Sequence, residues 1–205
     1  MRLAWSRYNE PMSGRDDVMR TTPGVKLTYD DFLLFPDDGK RHELIDGEHY
    51  VTPSPTRKHQ AIAWNLTVII GTYLEAHSIG RAFAAPFDVV FSEFDVVEPD
   101  LLYISNERQS DVLTTKHVAG APNLVVEIAS PGTRTRDDNL KRKLYERFGV
   151  EEYWVIEPED ETIVVYRHDG ENYRRISEPA VKRADILATP LLPGLQAPLV
   201  RIFKD

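Results

Sequence analysis

The sequence predicts an α/β (α+β) fold, a mixed central β-sheet flanked by helices, and three stretches carry that expectation. Residues 124–156 read as strand, helix and strand, the pattern of a βαβ unit that joins parallel strands by a right-handed crossover. Residues 41–51 read as a hairpin, with Asp46-Gly47 as the turn between two short runs. Residues 57–77 read as one long amphipathic helix. Parallel and antiparallel signals together call for a mixed sheet, with helices against its faces.

Taken in order, residues 1–26 carry scattered Arg, Asp, Pro and Gly without periodicity, so a loosely packed N-terminal arm is expected, with a single domain over 27–205. Thr28 followed by Tyr29-Asp30-Asp31-Phe32 reads as a capped short helix ending before Pro36, with its acids in the first turn. Glu43 falls on the first arm of the hairpin. In the long helix Ile62, Leu66, Ile69, Ile70, Tyr73 and Leu74 share a face; His59 and Gln60 lie in its first turn, directed at a site or at solvent.

Residues 81–91 read as one strand and residues 96–104 as another, the latter with Pro99 and Asp100 in its middle. Proline removes a ladder donor, so that strand must lie at an edge or break its pairing there. Residues 105–122 read as a polar connection. Leu124 to Ile128 then form a buried strand containing Glu127, a carboxylate among apolar neighbours that requires a cationic partner.

A helix opens near Asp137 and stops at Gly149, with Leu140, Leu144, Tyr145 and Phe148 on one face. Asp137, Lys141 and Tyr145 are four apart, so Lys141 can reach back towards the strand end or pair with Asp137. The strand Tyr153 to Ile156 follows. Residues 162–175 form a second hairpin, and the proline-broken apolar tail, 187–203, packs as cover.

Composition narrows the chemistry. With 205 residues, 41% hydrophobic, the chain can bury one sizeable core. A formal net charge of -8 excludes phosphate binding over the whole surface. The segment 134–147 is locally basic, six Lys or Arg against three Asp or Glu, a pattern that suits a solvated helix face or contact with phosphates. Because there is no cysteine, disulfides, thiolate metal sites and cysteine nucleophiles are all excluded. Neither a signal-peptide core nor a membrane-length apolar run is present, so the expected location is cytoplasmic.

Glu43, Asp100 and Glu127 are the acids in predicted strands. Carboxylates brought together at neighbouring strand ends repel, and either one takes up a proton or a divalent cation sits between them. Oxygen-only ligation suits Mg²⁺ or Mn²⁺, which polarises a phosphoryl oxygen, while a lysine such as Lys141 positions water or stabilises developing charge.

The ordered set Glu43-Leu44-Ile45-Asp46-Gly47-Glu48, His59-Gln60, Pro99-Asp100, Val125-Val126-Glu127-Ile128-Ala129-Ser130-Pro131, Asp137/Lys141/Tyr145, Gly149 to Pro158 and Pro190 to Leu195 closely resembles the Uma-type family of restriction endonucleases, within the PD-(D/E)XK nuclease superfamily. The resemblance runs from about Thr28 to Phe203. It implies a restriction-endonuclease-like fold in which Asp100 and Glu127 hold Mg²⁺ (or Mn²⁺) and Glu43 is the preceding glutamate. The superfamily lysine belongs two residues after the second acid, where this chain has Ala129, and the resemblance moves that role to Lys141. His59, Ser130 and Tyr145 would support the site, Tyr145 from the core or just behind it. DNA, the expected substrate, would meet Arg134, Arg136, Arg142 or Lys143.

The competing expectation is a non-catalytic interaction protein that retains a nuclease-like fold; fold alone does not fix function. Sugar hydrolysis by paired carboxylates is disfavoured by Lys141. An edge strand near Pro99 and the apolar tail leave room for a homodimer, and the acidic surface for an unknown protein partner.

Overall fold

The structure, a computed structural model, describes residues 24–130 and 134–205, the side chains of residues 134–138 lying outside that description. Most of the expected N-terminal arm thus falls outside the described residues. Its last residue, Lys26, pairs with Asp46, and the adjoining Leu27 amide donates to the Gly47 carbonyl at 2.9 Å.

The chain begins with a short helix, α1 (Tyr29–Phe32), closed by a capping box in which Thr28 and Asp31 each accept the other's backbone amide. The hairpin β1 (Arg41–Ile45) and β2 (Glu48–Thr52) turns through Asp46 and Gly47, both at positive φ, as the Asp-Gly pair requires. Helix α2 spans Arg57–His77, capped by the Thr56 side chain accepting from the His59 amide.

The expected strand over 81–91 is two strands, β3 (Gly80–Ala84) and β4 (Val89–Ser92), which lie in different sheets. The expected strand over 96–104 likewise divides into β5 (Asp95–Val97) and β6 (Leu101–Ser105). Pro99 breaks the pairing; it does not mark an edge, because β5 and β6 each have strands on both sides. The edge-strand argument for a homodimer therefore fails.

Residues 105–122 hold helix α3 (Asn106–Val112) and the two-residue strand β7 (Val118–Ala119). The parallel unit is as read: β8 (Leu124–Ile128), α4 (Arg134–Arg147) and β9 (Glu152–Glu157), with β8 and β9 paired parallel. Helix α4 starts three residues before Asp137. It ends at Arg147, two residues before Gly149, whose φ of 70° is the left-handed conformation that closes a helix. Strands β10 (Thr162–His168) and β11 (Tyr173–Ser177) form the second hairpin. The tail is more ordered than a cover, forming the hairpin β12 (Ile186–Thr189) and β13 (Leu192–Pro198) and a final turn of helix, α5 (Leu199–Ile202).

Three sheets result among the described residues, with strand orders β2-β1-β5-β4-β7, β11-β10-β9-β8-β6-β3 and the two-stranded β12-β13. The six-stranded sheet is mixed and central. Because side chains alternate along a strand, β6, β8 and β9 send Leu101, Tyr103, Leu124, Val126, Trp154 and Ile156 to one side. There they meet Ile62, Leu66 and Ile70 of α2 and the tail residues Leu192, Leu199 and Ile202. The other side sends Leu102, Ile104, Val125, Tyr153 and Val155 against Leu144 and Tyr145 of α4 and against Ile45, Val89, Val97 and Val118 of the five-stranded sheet. Glu127 shares the parity of Val125, so it faces α4 and the five-stranded sheet. Among the described residues no helix is long and apolar enough to cross a membrane.

Candidate active site

Strand parity assembles the site. On β1, Arg41, Glu43 and Ile45 point to the same side, and Ile45 is in the core between the sheets, so Glu43 is carried in with it. Glu43 is 2% exposed. On β6 and β8 the antiparallel register pairs Leu101 with Val126; continued by one residue it faces Asp100 with Glu127. Helix α4 then lays Lys141 and Tyr145, one turn apart, over Glu127.

Lys141 is the centre of this arrangement. Its Nζ donates to Glu43 Oε1 at 2.8 Å and to Glu127 Oε1 at 3.0 Å, tying the five-stranded sheet to the six-stranded one. Burial disfavours the charged Lys141 ammonium, but Glu127 and Glu43 outweigh it and hold the pKa above the ordinary lysine value. Tyr145 donates its hydroxyl to the same Glu127 oxygen at 2.5 Å. Burial, reinforced by Glu127, holds the Tyr145 phenol protonated. Tyr145 also belongs to the core, packing beside Tyr153 and Phe91.

Glu127 remains under-compensated. Burial, followed by repulsion from Asp100 and Glu43, pushes its pKa up to about 7 against the pull of Lys141 and Tyr145. Asp100 is the opposite case. Burial would raise it, but His59, Arg41 and the Ile128 amide together hold it below the usual carboxylate range. Arg41 Nη1 and Nη2 both reach Asp100 Oδ1 at 3.0 Å, and the Ile128 amide donates to Oδ2 at 2.7 Å. His59 Nε2 lies 3.2 Å from that same Oδ2. Of the two orientations open to His59, the structure therefore takes the inward one. Its Nδ1 is buried and has no hydrogen-bond partner among the described residues.

Two participants were not singled out from sequence. Arg41 stands two residues before Glu43, on the same face of β1, so strand alternation was sufficient to find it. Glu98 immediately precedes Pro99-Asp100; its Oε1 meets Arg41 Nε at 2.7 Å, and its backbone amide donates to Glu43 Oε1 at 3.0 Å. Burial, with Asp88 and Glu43 nearby, pushes Glu98 up to about 7 although Arg41 opposes it. Glu43, Glu98, Asp100 and Glu127 thus share two permanently charged partners, Arg41 and Lys141. Beside Arg41 and Glu98 opens a cleft of about 390 Å³, also lined by Lys40, Thr52, Ser54 and Pro86.

The remaining expected residues are less closely tied to the site. Ser130 follows β8 and is half-buried. Arg142 lies over the Tyr166 ring, 5.5 Å from its centroid, and Lys143 lines a separate cavity with Glu146, Arg147 and His168, so neither turns with Lys141 towards Glu127. The side chains of Arg134, Arg136 and Asp137 lie outside the described residues.

A divalent cation fits the donor chemistry here. The donors are hard carboxylate oxygens, their negative charge exceeds that of the fixed cations, and Glu127 retains an elevated pKa that a cation would relieve. Among the described residues no three His, Asp or Glu side chains gather as a ready metal cage. An ion would rest on few protein ligands with water and substrate oxygens completing the shell, the manner in which Mg²⁺ is commonly held.

Comparison with solved structures finds a crystal structure described as "a putative nuclease belonging to DUF820" from Anabaena variabilis ATCC 29413, with a TM-score of 0.70 and 24% identity, covering 86% of this chain and 97% of that one. The two share the fold. No curated protein matches the chain. The family model described as "Uma2: Putative restriction endonuclease" matches residues 29–200, and this chain belongs to that family.

Proposed function

We propose that the protein is a metal-dependent endonuclease that hydrolyses phosphodiester bonds of DNA, with Asp100 and Glu127 as the ligands of a Mg²⁺ or Mn²⁺ ion. The observation that carries this reading is the buried ammonium of Lys141, held between Glu43 and Glu127, with Asp100 next in register to Glu127 just before β6. When bound, the ion would polarise a phosphoryl oxygen and favour deprotonation of the attacking water. Lys141 supplies a fixed positive charge where negative charge develops, in a site already shielded from solvent. Tyr145 and Glu43 orient that ammonium and the Glu127 carboxylate, limiting their motion as charge moves. Arg41 and His59 keep Asp100 ionised and aimed.

The cleft lined by Asp37, Lys40, Arg41 and Glu98 is the approach we assign to the nucleic-acid strand, since the Arg41 in its wall is the residue that holds Asp100 and Lys40 offers a cation to phosphates. A protein that keeps the fold without catalysis is the second reading. The observation in its favour is that Asp100 already has Arg41, His59 and the Ile128 amide as partners, as a purely structural carboxylate would.

Nicking of supercoiled plasmid with Mg²⁺ or Mn²⁺ separates the two. Cleavage by the natural protein that disappears in both Glu127→Ala and Lys141→Ala supports the nuclease. Folded protein that neither cuts nor binds the metal supports the second reading.

A further inference from the structure

Helix α2 has a second face that the fold does not use. Its inner side packs Ile62, Leu66, Ile70 and Tyr73 into the core. On the opposite side Arg57, Ala61, Trp64, Val68, Gly71 and Glu75 recur at alternating steps of four and three, the spacing of a helix–helix seam. Trp64 is 69% exposed and Val68 40%, large apolar groups one turn apart on the outer face.

Gly71 is the second observation. A glycine inside a helix costs about 0.5–1 kcal/mol relative to alanine, yet a Cβ placed there would meet nothing within 4 Å. Nothing in the described residues of this chain requires the missing side chain. A close approach by another backbone would.

The stripe is also self-complementary. About Leu66 as centre, Trp64 is symmetric with Val68, Ala61 with Gly71, and Arg57 with Glu75. Two copies of α2 laid antiparallel therefore set each indole on the partner's Val68, each alanine against a glycine, and each arginine against a glutamate, the arrangement an isologous two-fold interface demands. Arg57 meets Asp205 of its own chain but is 81% exposed in its side chain, leaving guanidinium donors for a second carboxylate.

We infer that this face of α2 is a homodimer interface, its occupant a second copy of the chain, paired antiparallel about Leu66. The inference does not depend on the chemistry at the carboxylate centre. In such a pair the first turns of the two α2 helices, which carry His59, lie at opposite ends of the seam.

Sedimentation velocity of the full chain over a dilution series from hundreds of micromolar to micromolar tests it, with thermal unfolding of each variant as the control for folding. The natural protein moves from twice the chain mass towards the chain mass on dilution. Trp64→Ser stays monomeric. Gly71→Gln, compared at a dilution where both proteins are monomeric, unfolds at the same or higher temperature, because the helix gains a better former in open space, and yet it loses association at high concentration. Arg57→Glu and Glu75→Arg each weaken association by about tenfold or more, and mixing the two restores it, since each then offers the charge the other lacks. A natural protein that remains monomeric throughout overturns the inference. So does a dimer that survives Trp64→Ser and both charge reversals, because its interface must then lie elsewhere.

Discussion

Asp100 and Glu127 face each other across neighbouring strands, and their surroundings drive them in opposite directions. Asp100 has a guanidinium, an imidazole and a backbone amide on its two oxygens, and it stays ionised. Glu127 shares one ammonium with Glu43, accepts one phenol, and is pushed up to about 7. One half of the centre is electrostatically complete in the protein alone. The other half is short of positive charge, a shortfall that a proton on Glu127 relieves and that a cation would relieve as well, so two like groups are held in unlike states.

The largest way to break this contrast is Lys141→Met. It leaves Glu43 and Glu127 buried without their shared cation, so stability should fall by about 3–5 kcal/mol, measured by urea unfolding at neutral pH. Plasmid nicking should fall at least about a hundredfold in the same protein, assayed where it is still folded.

Next in size is pH. The folded protein holds a proton on Glu127 up to about pH 7, whereas the unfolded chain gives it up near the ordinary carboxylate value. Between those values the folded state binds more protons, so stability falls as pH rises, by on the order of 2–3 kcal/mol across the window. Denaturant titrations from pH 4.5 to 8 should record that fall, reduced in Glu127→Gln, with a remainder from Glu98. Metal affinity moves the other way, rising with pH as Glu127 loses its proton.

Tyr145→Phe sharpens the contrast. Removing one hydrogen bond to a buried carboxylate should cost about 1–2 kcal/mol and raise the Glu127 pKa further, shifting the pH profile of cleavage upward without abolishing it. The smallest effect belongs to the surface. Arg174 pairs with Asp169 where both meet solvent, and Arg174→Ala should leave the melting temperature within about a degree.

Much of this centre was legible in the sequence because the relevant periods are short. The Asp46-Gly47 turn fixed the parity of Glu43, and the apolar run of β8 fixed that of Glu127. Lys141 and Tyr145 were placed by one turn of helix. Where the reading failed, the deciding interaction was long-range. The segments 81–91 and 96–104 look continuous in propensity, and only the division of their halves between two sheets shows the breaks. Arg41 carried a readable signal in its parity with Glu43, but its meaning depended on Glu98 and Asp100 arriving from 57 and 59 residues away. The basic run of α4 was ambiguous for a related reason: Lys141 points inward, whereas its neighbours Arg142 and Lys143 lie over Tyr166 and beside His168.

The most direct test of an incomplete Glu127 half is calorimetric titration of Mn²⁺ into the natural protein, Glu127→Gln and Asp100→Asn at pH 7.5. One ion per chain should bind the natural protein, with loss of binding in both variants. Equal binding in all three, or none in the natural protein, would contradict a shared ion between these two carboxylates.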